Sequence, residues 1–288
     1  MKVIKDISAL QEISDYHRIL RKKIGLVPTM GYLHEGHVSL ILNARDECDI
    51  VVVSVFVNPK QFLPGEDFKE YPRDFLRDYH ICKKSGVDYI FNPDENEMYK
   101  ENYFTYVNVK ELSDKLEGIY RPGHFTGVAT VVLKLINITK PHCVYLGEKD
   151  AQQAVIIDRM IEDLDVDTEM RVCETMREDN GLAISSRNIF LNENERNEAA
   201  ILNKVLNEGM NMILENRVEK GDELRKILKE KIKSESPNSR LQYLSITDDK
   251  LLDEIENLNE YKGEIIISLA TFYGDTRLID NVSFQKCS

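Results

Sequence analysis

The chain has 288 residues, of which 42% are hydrophobic and 31% charged, and a formal net charge of −12. That balance belongs to a folded globular protein and excludes a disordered or fibrous one. The negative surplus excludes a general binder of nucleic acid or anionic membrane, so an anionic ligand must be caught by a local cluster of donors.

In chain order, residues 1–10 contain Lys2, Lys5 and Asp6 without a long apolar run, so no signal peptide is expected. Residues 23–28 read as a short buried strand and 38–47 as a helix. Residues 49–57, a β-branched run stopped by Asn58-Pro59, read as a buried strand, and the apolar part is too short to cross a bilayer. Helical spacing over 73–85 puts Phe75, Leu76, Tyr79 and Cys82 on one side, with Gly86 as its C-terminal stop. A short strand over 88–91 ends at Asn92-Pro93. Residues 125–138 form an apolar helix that stops before Pro141, and 143–146 a strand. Residues 149–163 form a helix with Ala154, Ile157, Met160, Ile161 and Leu164 inward, and 167–172 one more strand.

Strands alternating with helices predict a Rossmann-like α/β domain with a parallel sheet, whose ligands bind at the carboxyl ends of the strands. Past Arg187 the pattern changes to charged amphipathic helices over 193–215 and 218–234 and strands near 241–247, 264–270 and 276–279. This predicts a smaller α+β domain: residues 1–176 form the first domain and 177–288 a lid, with a hinge near 176–188. The cysteines Cys48, Cys82, Cys143, Cys173 and Cys287 are scattered and lack any C-x-x-C pair. They suit buried thiols of a cytoplasmic protein better than disulfides or zinc.

Pro28-Thr29-Met30-Gly31-Tyr32-Leu33-His34-Glu35-Gly36-His37 follows the first strand of the alternating series and opens a helix. Gly31 and Gly36 let backbone approach a ligand, and a helix start offers N–H groups and a positive dipole end to a phosphate. Two imidazoles three residues apart can donate to a triphosphate whose charge grows during attack at the α-phosphorus. A zinc site lacks a third ligand and the H-E-x-x-H pattern, while a plain turn with loop histidines stays open at this point. Gly118 to Phe125 has P-loop glycine spacing, but His124 and Phe125 replace the required Lys and Ser/Thr, and no G-x-G-x-x-G is present, so neither a P-loop kinase nor a dehydrogenase is expected.

Asn58 and Gln61 offer amides suited to a hydroxyl or carboxylate, or form an ordinary Asn-Pro turn. In Gly147-Glu148-Lys149-Asp150, the glycine permits close approach, the lysine neutralises phosphate and the aspartate accepts from ribose; a charged helix start is the plainer reading. Gln153 lies one helical turn further on and can face the same way. Ile184-Ser185-Ser186-Arg187, preceded by Met176, gathers hydroxyls and a guanidinium suited to β- and γ-phosphates, or makes a flexible linker that also closes over ATP.

Together, PTMGYLHEGH, FVNPKQF, RPGHFTGVATVVLKL, LGEKDAQQ, GLAISSRN and TRLIDN resemble the pantothenate synthetase family, within the nucleotidyl-transferring superfamily with HIGH-like and KMSKS-like signatures. The stretches recur in family order from about Lys23 to Asn281. The resemblance implies that pantoate is adenylated by ATP and that β-alanine then displaces AMP. It implies that Met30, Gly31, Tyr32, Leu33, His34, Glu35, Gly36 and His37 line the ATP site, with His37 the proton-donating group and His34 its helper. Gly147, Glu148, Lys149 and Asp150 would bind ATP, with Lys149 catalytic, and Met176, Ile184, Ser185, Ser186 and Arg187 would complete the nucleotide site. Gln61 and Gln153 would hold pantoate and β-alanine, with Asn58 nearby. Mg²⁺ carried with the ATP phosphates and a homodimer are implied as well. Glu174, Met176, Asn180 and Ile184 depart from the usual pattern of proline, valine, aspartate and methionine; Met176 and Ile184 keep apolar bulk, while Asn180 removes a charge beside the expected hinge. The alternatives are a related nucleotidyl transferase for another acid, a tRNA synthetase (disfavoured by charge) and a nucleotide-binding regulator without turnover.

Overall fold

The computed structural model describes residues 1–286; Cys287 lies outside the described residues. In chain order the regular elements are β1 (Lys2–Ile4), α1 (Ile7–Ile19), β2 (Ile24–Thr29), α2 (Glu35–Glu47), β3 (Ile50–Val55), α3 (Phe75–Lys84), β4 (Tyr89–Phe91) and α4 (Glu95–Met98). They continue with α5 (Glu117–Tyr120), α6 (His124–Thr139), β5 (Cys143–Gly147), α7 (Ala151–Asp163), β6 (Glu169–Cys173), α8 (Glu193–Leu214) and α9 (Gly221–Glu235). Three long strands follow: β7 (Ser239–Asp248), β8 (Gly263–Tyr273) and β9 (Thr276–Lys286). The chain divides into two compact units, one of Met1–Asp114, Gly118–Glu148 and Ile156–Glu174, the other of Lys115–Glu117, Lys149–Val155 and the chain from Thr175 onward.

The first unit is built on a six-stranded sheet in the order β1-β4-β3-β2-β5-β6, parallel throughout. β2 and β3 are buried along almost their whole length, which explains why their sequences read as continuous apolar runs rather than alternating ones. β2 is flanked by its successor β3 and by the distant β5, with Gly25 opposite Cys143 and Leu26 opposite Val144. The strand order therefore reverses between β2 and β5, the place where open α/β sheets bind ligands. α6 is buried along most of its surface, as a helix apolar all round must be. Ile41, Ala44, Val51, Val53, Val27 and Tyr145 form part of a contiguous core. Each fully buried aliphatic side chain there contributes on the order of 1.5–3 kcal/mol.

The second unit carries the antiparallel meander β7-β8-β9. α8 and α9 bury Leu202, Val205, Leu206, Leu228 and Ile232 together with Ile246, Ile265, Ile267 and Leu269 from the strands. The expected α/β sheet and the smaller α+β part are both present, and the meander strands run longer than their apolar cores suggested.

Three local expectations are corrected. β1 and α1 had no place in the periodicity reading. Leu164, expected inward, lies just past the end of α7 and is 53% exposed. Phe75 and Leu76, expected on the buried side of α3, are exposed, and the buried side of that helix carries Asp78 and Cys82. Cys48, Cys82 and Cys143 are buried reduced thiols, and burial pushes Cys82 up to about 12.

Candidate active site

The loop after β2 is shaped by hydrogen bonds that close it on itself. Thr29 Oγ1 donates to the Ser54 carbonyl at 2.6 Å and accepts from the Gly31 N–H at 3.1 Å. Gly31 and Tyr32 are then left-handed, at φ 88° and 51°. A Cβ on Gly31 would be strained there and would meet Val55 Cγ1 at 2.9 Å. The next two N–H groups, of Tyr32 and Leu33, donate to the two oxygens of Asp78 at 2.8 and 2.7 Å. This backbone nest is an anion site whose anion comes from the protein itself. Burial pushes the Asp78 carboxyl above its ordinary range, and the two N–H donors offset only part of that rise. Leu33 is fully buried in the core, so its side chain secures the loop; the Arg77 guanidinium sits over the Tyr32 ring at 4.8 Å.

Helix α2 begins at Glu35, earlier than the apolar spacing indicated, with His34 as an extended N-cap and Glu35 exposed in the first turn. The His34 N–H donates to Nδ1 of His37 at 3.2 Å. An imidazole here takes the place that Glu or Gln fills in a capping box. The bond has a chemical consequence: Nδ1 of His37 is the acceptor, so the neutral ring carries its proton on Nε2. The two rings lie with centroids 4.0 Å apart and planes tilted by 37°. Two full charges at that separation would repel by about 1 kcal/mol in water and several-fold more in a drier setting. A Cβ on Gly36 would meet the His34 ring at 3.0 Å, so the glycine keeps that ring in place.

After β3, the 3₁₀ turn Pro59–Gln61 is fixed from several directions. Asn58 is buried; its Nδ2 donates to the Gly127 carbonyl at 3.1 Å and to Gln61 Oε1 at 3.0 Å, while its Oδ1 accepts from Tyr99 Oη at 2.7 Å. A backbone carbonyl can only accept, so the Asn58 orientation is determined, Gln61 must turn its oxygen toward Asn58, and its Nε2 is directed the other way, 3.3 Å from Met30 Sδ.

The rejected P-loop look-alike supports the same turn. Arg121 makes two bonds to Glu66, at 2.6 and 2.7 Å, and its NH1 lies 3.1 Å from His124 Nε2. A guanidinium has no acceptor, so Nε2 accepts and His124 Nδ1–H donates to the Gln61 carbonyl at 2.7 Å. Burial raises the Glu66 carboxyl, but Arg121 and the Leu63 N–H overcome this and hold it below the usual carboxylate range.

In the second unit, Lys149 and Asp150 sit in the 3₁₀ turn Glu148–Asp150, just past Gly147 at the carboxyl end of β5. Lys149 Nζ is 3.4 Å from Asp150 Oδ1. Gln153 follows in the first turn of α7 and is half-buried. The loop from Met176 is a short hairpin: Ile184 N–H donates to the Met176 carbonyl at 2.9 Å, Arg177 bridges Ala183, and Gly181 is left-handed at φ 93°. Asn180 Oδ1 accepts from the Leu182 N–H at 3.1 Å, so the amide keeps the turn bond an aspartate would make. Ser185 Oγ then accepts from the Arg187 N–H at 3.2 Å and caps the 3₁₀ turn Ser186–Phe190, in which Ser186 is buried and Arg187 half-buried.

The structure thus brings Met30, His34, His37, Asn58 and Gln61 into the first unit, and Lys149, Asp150, Gln153, Met176 and Ile184 to Arg187 into the second. Asp78, Glu66, Arg121 and His124 were missed as supporting residues, because their partners are far away in sequence.

The all-parallel sheet with its order reversal beside a Gly-His loop, followed by an antiparallel meander under two helices, defines a two-part Rossmann-like α/β protein. A family model described as Pantoate-beta-alanine ligase matches residues 2–283, and the chain belongs to that family. It is 49% identical to the pantothenate synthetase of Thermodesulfovibrio yellowstonii, over 98% of this chain and 99% of the relative. It is 46% identical to that of Acetivibrio thermocellus at the same coverage. The crystal structure of pantothenate synthetase from Thermus thermophilus superposes with a TM-score of 0.90 at 38% identity, covering 98% of this chain and 99% of that one. The pantoate-beta-alanine ligase of Francisella tularensis, complexed with beta-gamma ATP and beta-alanine, gives 0.78 at 37% identity, covering 98% and 97%.

Proposed function

We propose that the protein condenses (R)-pantoate with β-alanine in two steps at one site. A pantoate carboxylate oxygen attacks the α-phosphorus of ATP; the bond to the β-phosphate oxygen breaks and pyrophosphate leaves. The β-alanine nitrogen then attacks the acyl carbon of pantoyl adenylate, AMP leaves with the bonding pair, and the nitrogen loses its proton to give pantothenate. Activation is needed because a carboxylate offers only oxide as a leaving group. The observation that carries this reading is the hydrogen bond from the His34 N–H to His37 Nδ1, which fixes a proton on Nε2 at the start of a helix.

In this reading His37 Nε2–H stabilises the charge that grows on the α-phosphate oxygens, and the positive end of α2 assists it. His34 caps the helix and stacks on His37. Lys149 neutralises the transferred phosphate, Asp150 accepts from the ribose, and Ser185, Ser186 and Arg187 take the β- and γ-phosphates. Gln61 presents Nε2–H to the pantoate carboxylate or hydroxyl, with Gln153 as second contact. Asn58, whose amide is committed within the protein, orients Gln61 rather than touching substrate. Residues 1–176 carry ATP and pantoate binding, and 177–288 act as the lid.

Among the described residues no group of three or more His, Cys, Asp or Glu stands together to hold a metal. Mg²⁺ would be carried on the ATP phosphates with water completing its shell, where it would neutralise phosphate charge. A cytoplasmic homodimer completes the proposal. The test is pantoate-dependent exchange of labelled pyrophosphate into ATP without β-alanine. Exchange is expected; its absence with folded protein sinks the reading, and exchange driven only by another acid reassigns the substrate.

A further inference from the structure

The TRLIDN segment forms the first half of β9, and its Arg277, Asp280 and Asn281 side chains each take a defined partner. Side chains alternate across a strand, so Arg277 and Asn281 share one face and Asp280 takes the other. From the first face, Asn281 Nδ2 donates to the Lys149 carbonyl at 2.9 Å. Arg277 pairs with Glu117 at 2.6 and 2.8 Å. The Glu117 N–H in turn donates to Gln152 Oε1 at 3.0 Å, three residues past Lys149. From the opposite face Asp280, 5% exposed, receives Arg177 through two bonds of 2.8 and 2.9 Å. Arg177 also donates to the carbonyls of Gly181 at 3.2 Å and Asn281 at 3.3 Å, so the hairpin that leads into Ser185–Arg187 is tied down at its root.

We propose that Asp280 and Asn281 are positioning residues for adenylation, Asn281 acting through Lys149 and Asp280 through the 176–188 hairpin. The inference rests on the nucleotide-site reading above. A 3₁₀ turn three residues long has poor hydrogen-bond geometry of its own, so the direction in which Lys149 leaves the backbone depends on an outside bond to its carbonyl. The hairpin likewise has a single guanidinium gripped at both oxygens of a buried carboxylate. One strand with neighbouring residues pointing to opposite faces therefore sets both cationic segments that handle phosphate. A small misplacement of such groups costs up to about a hundredfold in rate, far more than one hydrogen bond costs in stability.

The test uses the full chain and reads pantoate-dependent pyrophosphate–ATP exchange. Asn281→Ala is expected to lower the exchange kcat by roughly ten- to a hundredfold with the pantoate KM unchanged. In a Lys149→Ala background the same substitution should change the residual rate by less than about twofold, because a residue that acts through Lys149 has nothing left to position. An equal drop in both backgrounds, or none in the parent, overturns the Asn281 role. Asn281→Ser serves the same cycle if the alanine variant does not fold. Asp280→Asn should raise the ATP KM by about tenfold and leave the pantoate KM alone; a shift in the pantoate KM instead overturns its role. A parent chain that folds yet shows no exchange brings down the nucleotide-site reading itself, a result distinct from either failure.

Discussion

In the proposed reading, His37 depends on one hydrogen bond. Its Nδ1 accepts from the backbone of His34, so replacement by alanine removes both the Nε2–H donor and a helix-capping contact. His37→Ala is expected to slow pantoate-dependent exchange by about 10²-fold or more, the scale of losing one preorganised donor, and stopped-flow or exchange kinetics will check it. Asp78 belongs to the same loop and titrates upward because it is buried. Its folded carboxyl holds a proton to higher pH than the unfolded one, so between the ordinary carboxylate range and the raised folded value the native state binds more protons. Stability from this group is therefore present at acid pH and is lost as pH rises through that window. Asp78→Asn should flatten this part of the stability–pH curve measured by denaturant unfolding, and should weaken ATP binding because one amide cannot accept from both N–H groups. A curve of unchanged slope would count against the account. The placement of the histidines and Lys149 just past strand ends was legible in the sequence because strand, glycine and polar tip lie within ten residues. Asp78 was not: it works 45 residues from Leu33, on a helix face that periodicity assigned to Phe75 and Leu76.

At the level of elements, apolar runs located the central strands and most helices, because continuous burial leaves a plain pattern. β1 is three residues long, too short for any period to register, whereas the equally short β4 was marked by the Asn92-Pro93 stop that follows it. The support of the Pro59–Gln61 turn by α6 was hidden for another reason: Arg121 and Glu66 are 55 positions apart, and either alone looks like a surface charge. Glu66 is held below its usual range, so its stabilising contribution is present near neutrality and is lost as pH falls through the folded value. Glu66→Gln should accordingly remove stability at neutral pH and little of it in acid, measured by denaturant unfolding at both. In the meander unit, Leu206 of α8 is fully buried against the strands, and Leu206→Ala should cost about 2–5 kcal/mol in chemical denaturation.

For the molecule as a whole, the −12 charge makes anion capture a local achievement. ATP bound by the folded chain alone should add about 2.7 kcal/mol to its stability at a hundredfold excess over the dissociation constant, seen as a rise in melting temperature. Transfer RNA should give no such rise and no gel shift at low salt. The strand order carries one more consequence, for synthesis. β2 waits for β5, whose residues lie more than a hundred positions further along. At ordinary elongation speeds the ribosome needs on the order of ten seconds to deliver them. During that interval the growing polypeptide holds an unpaired strand edge, so nascent fragments stalled before Cys143 are the form of this protein most in need of a chaperone.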